Sequence, residues 1–449
     1  MSAGLNTSMV REEEFSAGNH YGRRMDQHIG TRGTPPDRRR HEFVDTEKRR
    51  WAYTLMATAL AGCATEGNPA VTWSERDSAG ITIVENAVDV GAAQAGWSVA
   101  DQPSLSIGTL AGSPEYQFFR IAGARRLPDG RIAVVNGGSH EVRFYGADGQ
   151  FLHAFGTDGD GPGEFRRPRL AGSYGSDSLV IHDLDLRRVS ILDVDDGFAR
   201  SFPVQDAGGY PIPQGVLADR SIVYGGGASF SSDTGFPTGL HRANSLYASV
   251  SEDGRAGILF GEFPALEMYA QTDGSSFMAR TIPFGRNTVA TAAGDRLYVG
   301  FTDTYDVLAF DGTGRLLKIF RLAESLRPVT DAHVQAYIEE QVAEDAETDN
   351  ERRSLRELLE TLPVPETFPA YADLQTDALG NLWAQDYLAP GDDEPRWTIF
   401  SPDGHVLGRT NTPPRTRVLE IGRDYVLVSY IDELEVEFVR LYALHRPVL

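Results

Sequence analysis

Residues 123–165 read GARRLPDGRIAVVNGGSHEVRFYGADGQFLHAFGTDGDGPGEF. Asp129-Gly130 and Asp148-Gly149 sit between apolar runs. Asp-Gly is the favoured pair for a two-residue hairpin turn, which needs a positive φ that glycine adopts without steric cost. Ile132-Ala133-Val134-Val135 is apolar without alternation, as expected of a strand covered on both faces. Val142, Phe144, Phe151 and Phe155 alternate with polar residues, which predicts outer, half-exposed strands. Asn136-Gly137-Gly138 supplies a third turn. The stretch is therefore four short strands with a glycine-rich exit. A four-stranded meander cannot bury its own faces alone and must stack on similar units. That is one blade of a β-propeller.

Weaker copies recur to the end of the chain. The second runs from Arg167 to Val204. The third, Gly215 to Phe263, has its second turn expanded by Ala228 to Ala243. The fourth runs from Asn287 to Leu322 and the fifth from Tyr371 to Arg409. The last copy, Arg417 to Leu444, has three strands and no fourth. Near the other end, Leu105-Ser106-Ile107-Gly108 reads as a fourth strand without its first three. It leads into a Gly/Pro/Glu-bearing loop and an aromatic, Phe118, as Phe155-Gly156 leads to Phe165. The two incomplete ends predict a ring closed by an N-terminal strand, which leaves only short, protected edges. The expected fold is an all-β, six-bladed β-propeller.

One segment has helical rather than strand periodicity. Val334, Tyr337, Ile338 and Val342 share one face, and Leu355, Leu358, Leu359 and Leu362 another. The spacing predicts helices over 331–343 and 351–362, capped by Thr330 and Asn350 and ended by Pro363. This helical insertion, 330–363, falls between blades four and five. It is either a lid over the channel mouth or a brace, and an amphipathic stripe favours packing.

Composition sets the address. The formal charge of −22 disfavours nucleic acid, whose phosphates need a basic footprint. Cys63 is the only cysteine, so no intrachain disulfide can form. Arg49-Arg50, an apolar run and Leu60-Ala61-Gly62-Cys63 have the layout of an export signal, too short to span a membrane. Leu60 to Cys63 resembles a bacterial lipobox, which implies lipidation of Cys63 and cleavage before it. The signal sits deep in the chain, because 48 residues precede Arg49. Residues 1–43 are polar and mixed in charge, and read as a disordered or mis-assigned extension. Residues 44–62 are then the signal peptide, 63–75 a tether and 76–449 the propeller. Ala64 follows the cysteine, so Gram-negative sorting rules imply an outer-membrane anchor facing the periplasm or exterior. A monomer is expected, held to the membrane by the lipid alone.

At this point the residues resemble a family. Asp129-Gly130, Asn136, Gly138-Ser139-His140, Phe144, Asp148-Gly149, Phe155-Gly156 and Gly159 to Phe165 are similar to an NHL repeat. Blade one is a close match and blade two a partial one. Residues 76–444 also look like six-bladed propeller proteins of Gemmatimonadota-type bacteria, on cues such as Arg76 to Asn86 and Pro363 to Tyr371. The resemblance implies the fold and carries no activity with it.

Candidate chemistry is sparse. The residues ending the second strands are Asn136, Asp183, Gly227, Asp303, Asp386 and Asp432. In a propeller they would face one mouth, where oxygen ligands could hold Ca²⁺. The competing reading is that each side chain caps its own turn, as Asn and Asp do routinely. His182 beside Asp183 is a lone histidine, pointing to the opposite face by strand alternation. No Ser–His–Asp grouping, HExxH motif or Walker loop is present. Gly159–Gly163 lacks the Lys-Ser/Thr of a phosphate loop and reads as a connector. Two functions follow. One is a lipid-anchored module that binds a protein, peptide or glycan. The other is a Ca- or Zn-dependent propeller hydrolase or lyase with its site at the mouth. Convergence of three or more carboxylates would favour the second, and separate turn-capping bonds the first.

Overall fold

The computed structural model describes residues 71–88, 96–204, 212–226, 238–273 and 276–447. Cys63, the signal, the N-terminal extension and Gly227 lie outside the described residues.

The described chain begins with a hairpin, β1 (Val71–Ser78) and β2 (Ile81–Val88), followed by β3 (Ser98–Val99) and β4 (Leu105–Ile107). The quoted stretch forms β5 (Ile121–Arg126), β6 (Ile132–Asn136), β7 (Glu141–Tyr145) and β8 (Phe151–Phe155). Next come β9 (Pro168–Tyr174), β10 (Ser178–Asp183), β11 (Arg188–Asp193) and β12 (Gly197–Pro203). A longer group follows: β13 (Ile212–Leu217), β14 (Ile222–Gly225), β15 (Gly239–Val250), β16 (Ala256–Asp273) and β17 (Ser276–Thr281). After it lie β18 (Thr288–Gly294), β19 (Arg296–Phe301), β20 (Val307–Asp311) and β21 (Leu316–Leu322). Helices α1 (Asp331–Asp345) and α2 (Asp349–Leu359) precede β22 (Tyr371–Thr376), β23 (Leu382–Asp386), β24 (Arg396–Phe400) and β25 (Val406–Asn411). The chain ends with β26 (Thr416–Ile421), β27 (Tyr425–Ile431) and β28 (Glu437–His445).

These strands form antiparallel meanders in a propeller arrangement. The first strand of each meander neighbours the first strand of the next, and β26 returns to β5. β4 pairs with β28, setting Ile107 opposite Val439, so an N-terminal strand completes the last meander. Sheet pairing alone does not separate every meander. β13 pairs in parallel with β18 over Gly215–Leu217, and β2 pairs in parallel with β21, joining eleven strands into one sheet.

The core sits between successive meanders, not within them. One apolar cluster joins β6 and β7 to β10 and β11 through Val135, Val142, Phe144, Ile181 and Leu192. Another joins the last meander to β5–β7 through Ile107, Ile132, Val134, Leu427 and Val439. Two facing clusters per meander require side chains on both faces of the middle strands. This is why Ile132–Asn136 is buried throughout and why its sequence does not alternate.

Several expectations are corrected. β7 is not half-exposed: Val142, Arg143, Phe144 and Tyr145 are all buried. Arg143 reads as an outward polar residue in an alternating strand, but its charge is satisfied inside. The tether expected over 63–75 overlaps a strand, since β1 starts at Val71 and Trp73 stacks on His405 at 4.0 Å. The third meander does not stop at Phe263. β16 continues to Asp273 and turns back as β17, with Tyr269 opposite Arg280. The second helix is capped by Thr348, not Asn350, because Thr348 and Glu351 form a capping box.

The helices pack on this long ribbon. Ile338, Val342, Leu359 and Leu362 form a cluster with Tyr269 of β16. Phe284 meets Tyr337 of α1 at 5.4 Å and Phe368 at 4.8 Å, and Phe368 stacks on Tyr387 at 5.6 Å. The pair is thus fixed to neighbouring meanders by aromatic contacts. Among the described residues no helix is long and apolar enough to cross a membrane.

Candidate functional site

The mouth expected to matter is the end carrying the turns between second and third strands. Asn136, Asp183 and Asp432 cap these turns separately. Asn136 Oδ1 accepts the Phe119 amide at 2.9 Å, while its Nδ2 donates to Ser139 Oγ at 2.8 Å. Asp183 is fully buried and takes the amides of Arg166 (2.7 Å), Arg167 (3.2 Å), Asp185 (3.1 Å) and Leu186 (3.0 Å). Asp432 Oδ1 accepts from Leu434 N at 2.8 Å and Val436 N at 2.9 Å. Short Asn and Asp side chains satisfy local amides in this way and so fix the turn.

Asp303 and Asp386 have other partners. In the fourth meander the capping bond is made by Thr302, whose Oγ1 accepts the Asn287 amide at 2.9 Å. Asp303 is thereby released to Arg242, whose Nη1 lies 3.0 and 2.7 Å from its two oxygens. Asp386 pairs with Arg396, which also lies 3.7 Å from Glu324. Glu324 in turn pairs with Arg409, a buried guanidinium whose Nε donates to Thr398 Oγ1 at 3.1 Å. Burial pushes the Asp386 carboxyl up, while Arg396 and Arg409 oppose that shift. Burial raises the neighbouring Tyr305 hydroxyl to about 12, with the Asp386 and Glu324 charges adding to the effect.

Each of the five described mouth residues is therefore held by its own surroundings. Among the described residues, no three His, Cys, Asp or Glu side chains gather closely enough to hold a metal ion. His182 is fully buried, with Nδ1 3.1 Å from the Tyr224 hydroxyl. Burial lowers its pKa to about 4, so it is a neutral core side chain at physiological pH.

Polar residues unforeseen in the sequence also join neighbouring first strands. Asp373 is half-buried, accepting from its own neighbour Leu374 N at 2.8 Å and from Gln375 Nε2 at 3.0 Å. Gln375 also donates to Val418 O of the next meander at 2.9 Å. Arg417 donates to Ile121 O at 2.6 Å; burial lowers its pKa against the pull of Glu437 and Asp373. Their sequence signal is the polar residues interrupting otherwise apolar first strands, Asp373 and Gln375 in YADLQT and Arg417 and Glu420 in TRVLEI.

The glycine-rich connector is closed to phosphate. Gly161 N is taken by Glu164 Oε2 at 2.7 Å, and Gly159 N by Phe165 O at 3.2 Å. Arg188 clasps its carbonyls, with Nη1 2.6 Å from Asp160 O and Nη2 2.7 and 2.6 Å from Gly161 O and Glu164 O. The connector before β5 is held likewise. Arg143 Nη1 reaches Pro114 O (3.0 Å), Glu115 O (3.2 Å) and Gln117 O (2.8 Å).

No family model matches the chain. No curated protein matches it either. Among solved structures, it is similar to a member of the DUF4221 family from Bacteroides vulgatus. That likeness has 11% identity and a TM-score of 0.47, and covers 79% of this chain and 100% of the other. A virginiamycin B lyase from Staphylococcus aureus aligns with 8% identity and a TM-score of 0.37, over 84% of this chain and 100% of the other. A calcium-binding protein, regucalcin, from Agrobacterium tumefaciens aligns with 11% identity and a TM-score of 0.35, over 78% and 96%. Likeness at this level speaks to neither ligand nor chemistry.

Proposed function

We propose that the protein is a lipid-anchored, extracytoplasmic propeller that binds a protein, peptide or glycan. Counted by their first strands, β5, β9, β13, β18, β22 and β26, the meanders number six, and we take each as a blade. The helices then lie between blades four and five as a brace, since their apolar face is spent on Tyr269, Phe284 and Phe368. The blade-one signature supports an NHL-type repeat. The observation that carries the binding reading is the separate engagement of Asn136, Asp183, Asp303, Asp386 and Asp432. A hydrolase of the Ca- or Zn-dependent kind needs several of these on one ion. A mouth of fixed carboxylates, guanidinium groups and tyrosines suits hydrogen-bonded recognition instead.

The address rests on Leu60 to Cys63. Lipid labelling and membrane fractionation of Cys63→Ser test it in a Gram-negative host. Loss of label and release from the outer membrane are expected. Unchanged label and retention would overturn the anchor.

A further inference from the structure

The strand ends away from that mouth carry the turns between first and second strands. A cavity of about 360 Å³ opens there, between β5, the β9–β10 corner and the β26–β27 corner. This volume lies within the roughly 300–1,000 Å³ of ordinary small-molecule sites. Three arginines line it, Arg125, Arg126 and Arg423, in a chain with a formal charge of −22.

The arginines are not equally occupied. Arg125 Nε lies 3.8 Å from Glu420. The Arg126 guanidinium lies 4.9 Å from the Tyr425 ring centre and its charge acts on the Glu420 carboxyl, but among the described residues no direct side-chain hydrogen bond or close ion pair occupies its N–H groups. Stacking of this kind orients a guanidinium while leaving its N–H groups free to donate in the ring plane. The backbone beneath is fixed, because Arg126 N donates to Glu420 Oε2 at 2.7 Å. Arg423 is exposed and its guanidinium likewise has no partner among the described residues. Its backbone carbonyl is held at 2.6 Å by Arg446 Nε, and Arg446 is anchored to buried Asp377 at 2.7 Å. Glu420 is turned inward to the Arg126 amide, the Arg125 guanidinium and the Tyr425 hydroxyl, which leaves Asp424 as the one cavity carboxylate without a side-chain partner among the described residues. Three serines from the β9–β10 corner add hydroxyl donors on the facing wall.

We propose that this cavity binds a small organic anion, a carboxylate or phosphate monoester, whose oxygens are received by Arg126 and Arg423 and whose apolar body lies along Pro128 and the edge of Tyr425. Guanidinium groups match both oxyanions through paired N–H donors. The site lies at the opposite end of the second strands from the mouth considered above, so it stands or falls independently of the lipid anchor and of any macromolecular ligand.

Calorimetric titration of the purified full-length chain tests this, with glutarate and phenyl phosphate as probes and neutral glutaramide as control. Saturable binding of either anion, and none of glutaramide, is expected. Tighter glutarate assigns a carboxylate, and tighter phenyl phosphate assigns a phosphate monoester. Arg126→Met and Arg423→Met should each weaken binding at least about tenfold, the loss of a charge-assisted contact. Phenylglyoxal mapping of the unaltered protein gives a second readout that needs no variant. Arg126 and Arg423 should react, and the bound probe should protect both. Absence of binding by both anions, or binding without protection at these two arginines, would overturn the proposal.

Discussion

Ile107 stands opposite Val439 in an antiparallel pair, joining the N-terminal and C-terminal parts of the described chain. Both side chains are buried, in the cluster shared with Ile132, Val134 and Leu427. The ring is therefore closed by backbone hydrogen bonds and by a core that neither end can build alone. Ile107→Asp would place an unpaired carboxylate in that cluster. A loss of about 3 kcal/mol or more is expected from the combined cavity and desolvation penalties. Urea denaturation checks it. A change below about 1 kcal/mol, the range of ordinary surface substitutions, would show that the strand is dispensable.

The mouth carboxylates should separate by mutation. Asp183→Ala leaves four amides without their acceptor inside a buried turn. It should cost about 3 kcal/mol, since unsatisfied buried donors bear their full desolvation penalty. Asp303→Ala removes a half-exposed ion pair with Arg242 and should cost less than about 1 kcal/mol. Equal effects of the two substitutions would contradict their assigned roles.

Arg143 carries a third expectation. Its Nη1 binds three connector carbonyls while Nε meets Glu141 at 2.9 Å. Arg143→Ala should destabilise by about 2–3 kcal/mol, as a buried hydrogen-bonded charge does when its partners are stranded. Arg143→Lys should recover only part of this, because a single ammonium cannot serve both sites. Full recovery by lysine, read from thermal midpoints, would show that charge alone matters.

His182 gives a pH dependence. Burial lowers its pKa from 6.5 to about 4 in the fold, so the unfolded chain binds the proton more readily. The contribution is complete above pH 6.5 and is lost as pH falls toward 4. Its limit is roughly 3 kcal/mol at the acid end. Asp373, Asp386 and Glu420, whose carboxyls burial raises, act in the opposite sense as pH falls. The measurement is therefore the difference between wild type and His182→Phe, from urea midpoints at pH 7 and pH 4.5. The variant should lose less stability on acidification than the wild type. A pH-independent difference would sink the assignment.

Much of the ring was legible in the sequence because its signals are local. Asp-Gly turns and uninterrupted apolar runs mark β6, and the unmatched strands at Leu105 and Val439 foretell their pairing. Long-range partners leave no such signal. Nothing around Ile81 specifies a parallel pairing with β21, which is secured by Asn86 bonding Gly404 O and Val406 N across the meander boundary. The extension of β16 leaves no local signal, because it packs on the helices through Tyr269, a contact distant in sequence. At the mouth, position in the sequence alone cannot tell Asp303 from Asn136. The hydroxyl of Thr302 performs that bond, and only geometry distinguishes adjacent polar residues. Arg143 carries no such signal, because a buried arginine and an exposed one look the same in an alternating strand.

In the proposed reading the mouth recognises its ligand without a bound cation. Its most direct test is the metal content of purified full-length protein after equilibration with Ca²⁺ and Zn²⁺ and removal of free ions, measured by elemental mass spectrometry. Far less than one ion per chain is expected, unchanged in Asp183→Asn and Asp386→Asn. One Ca²⁺ or Zn²⁺ per chain, lost on either substitution, would contradict it.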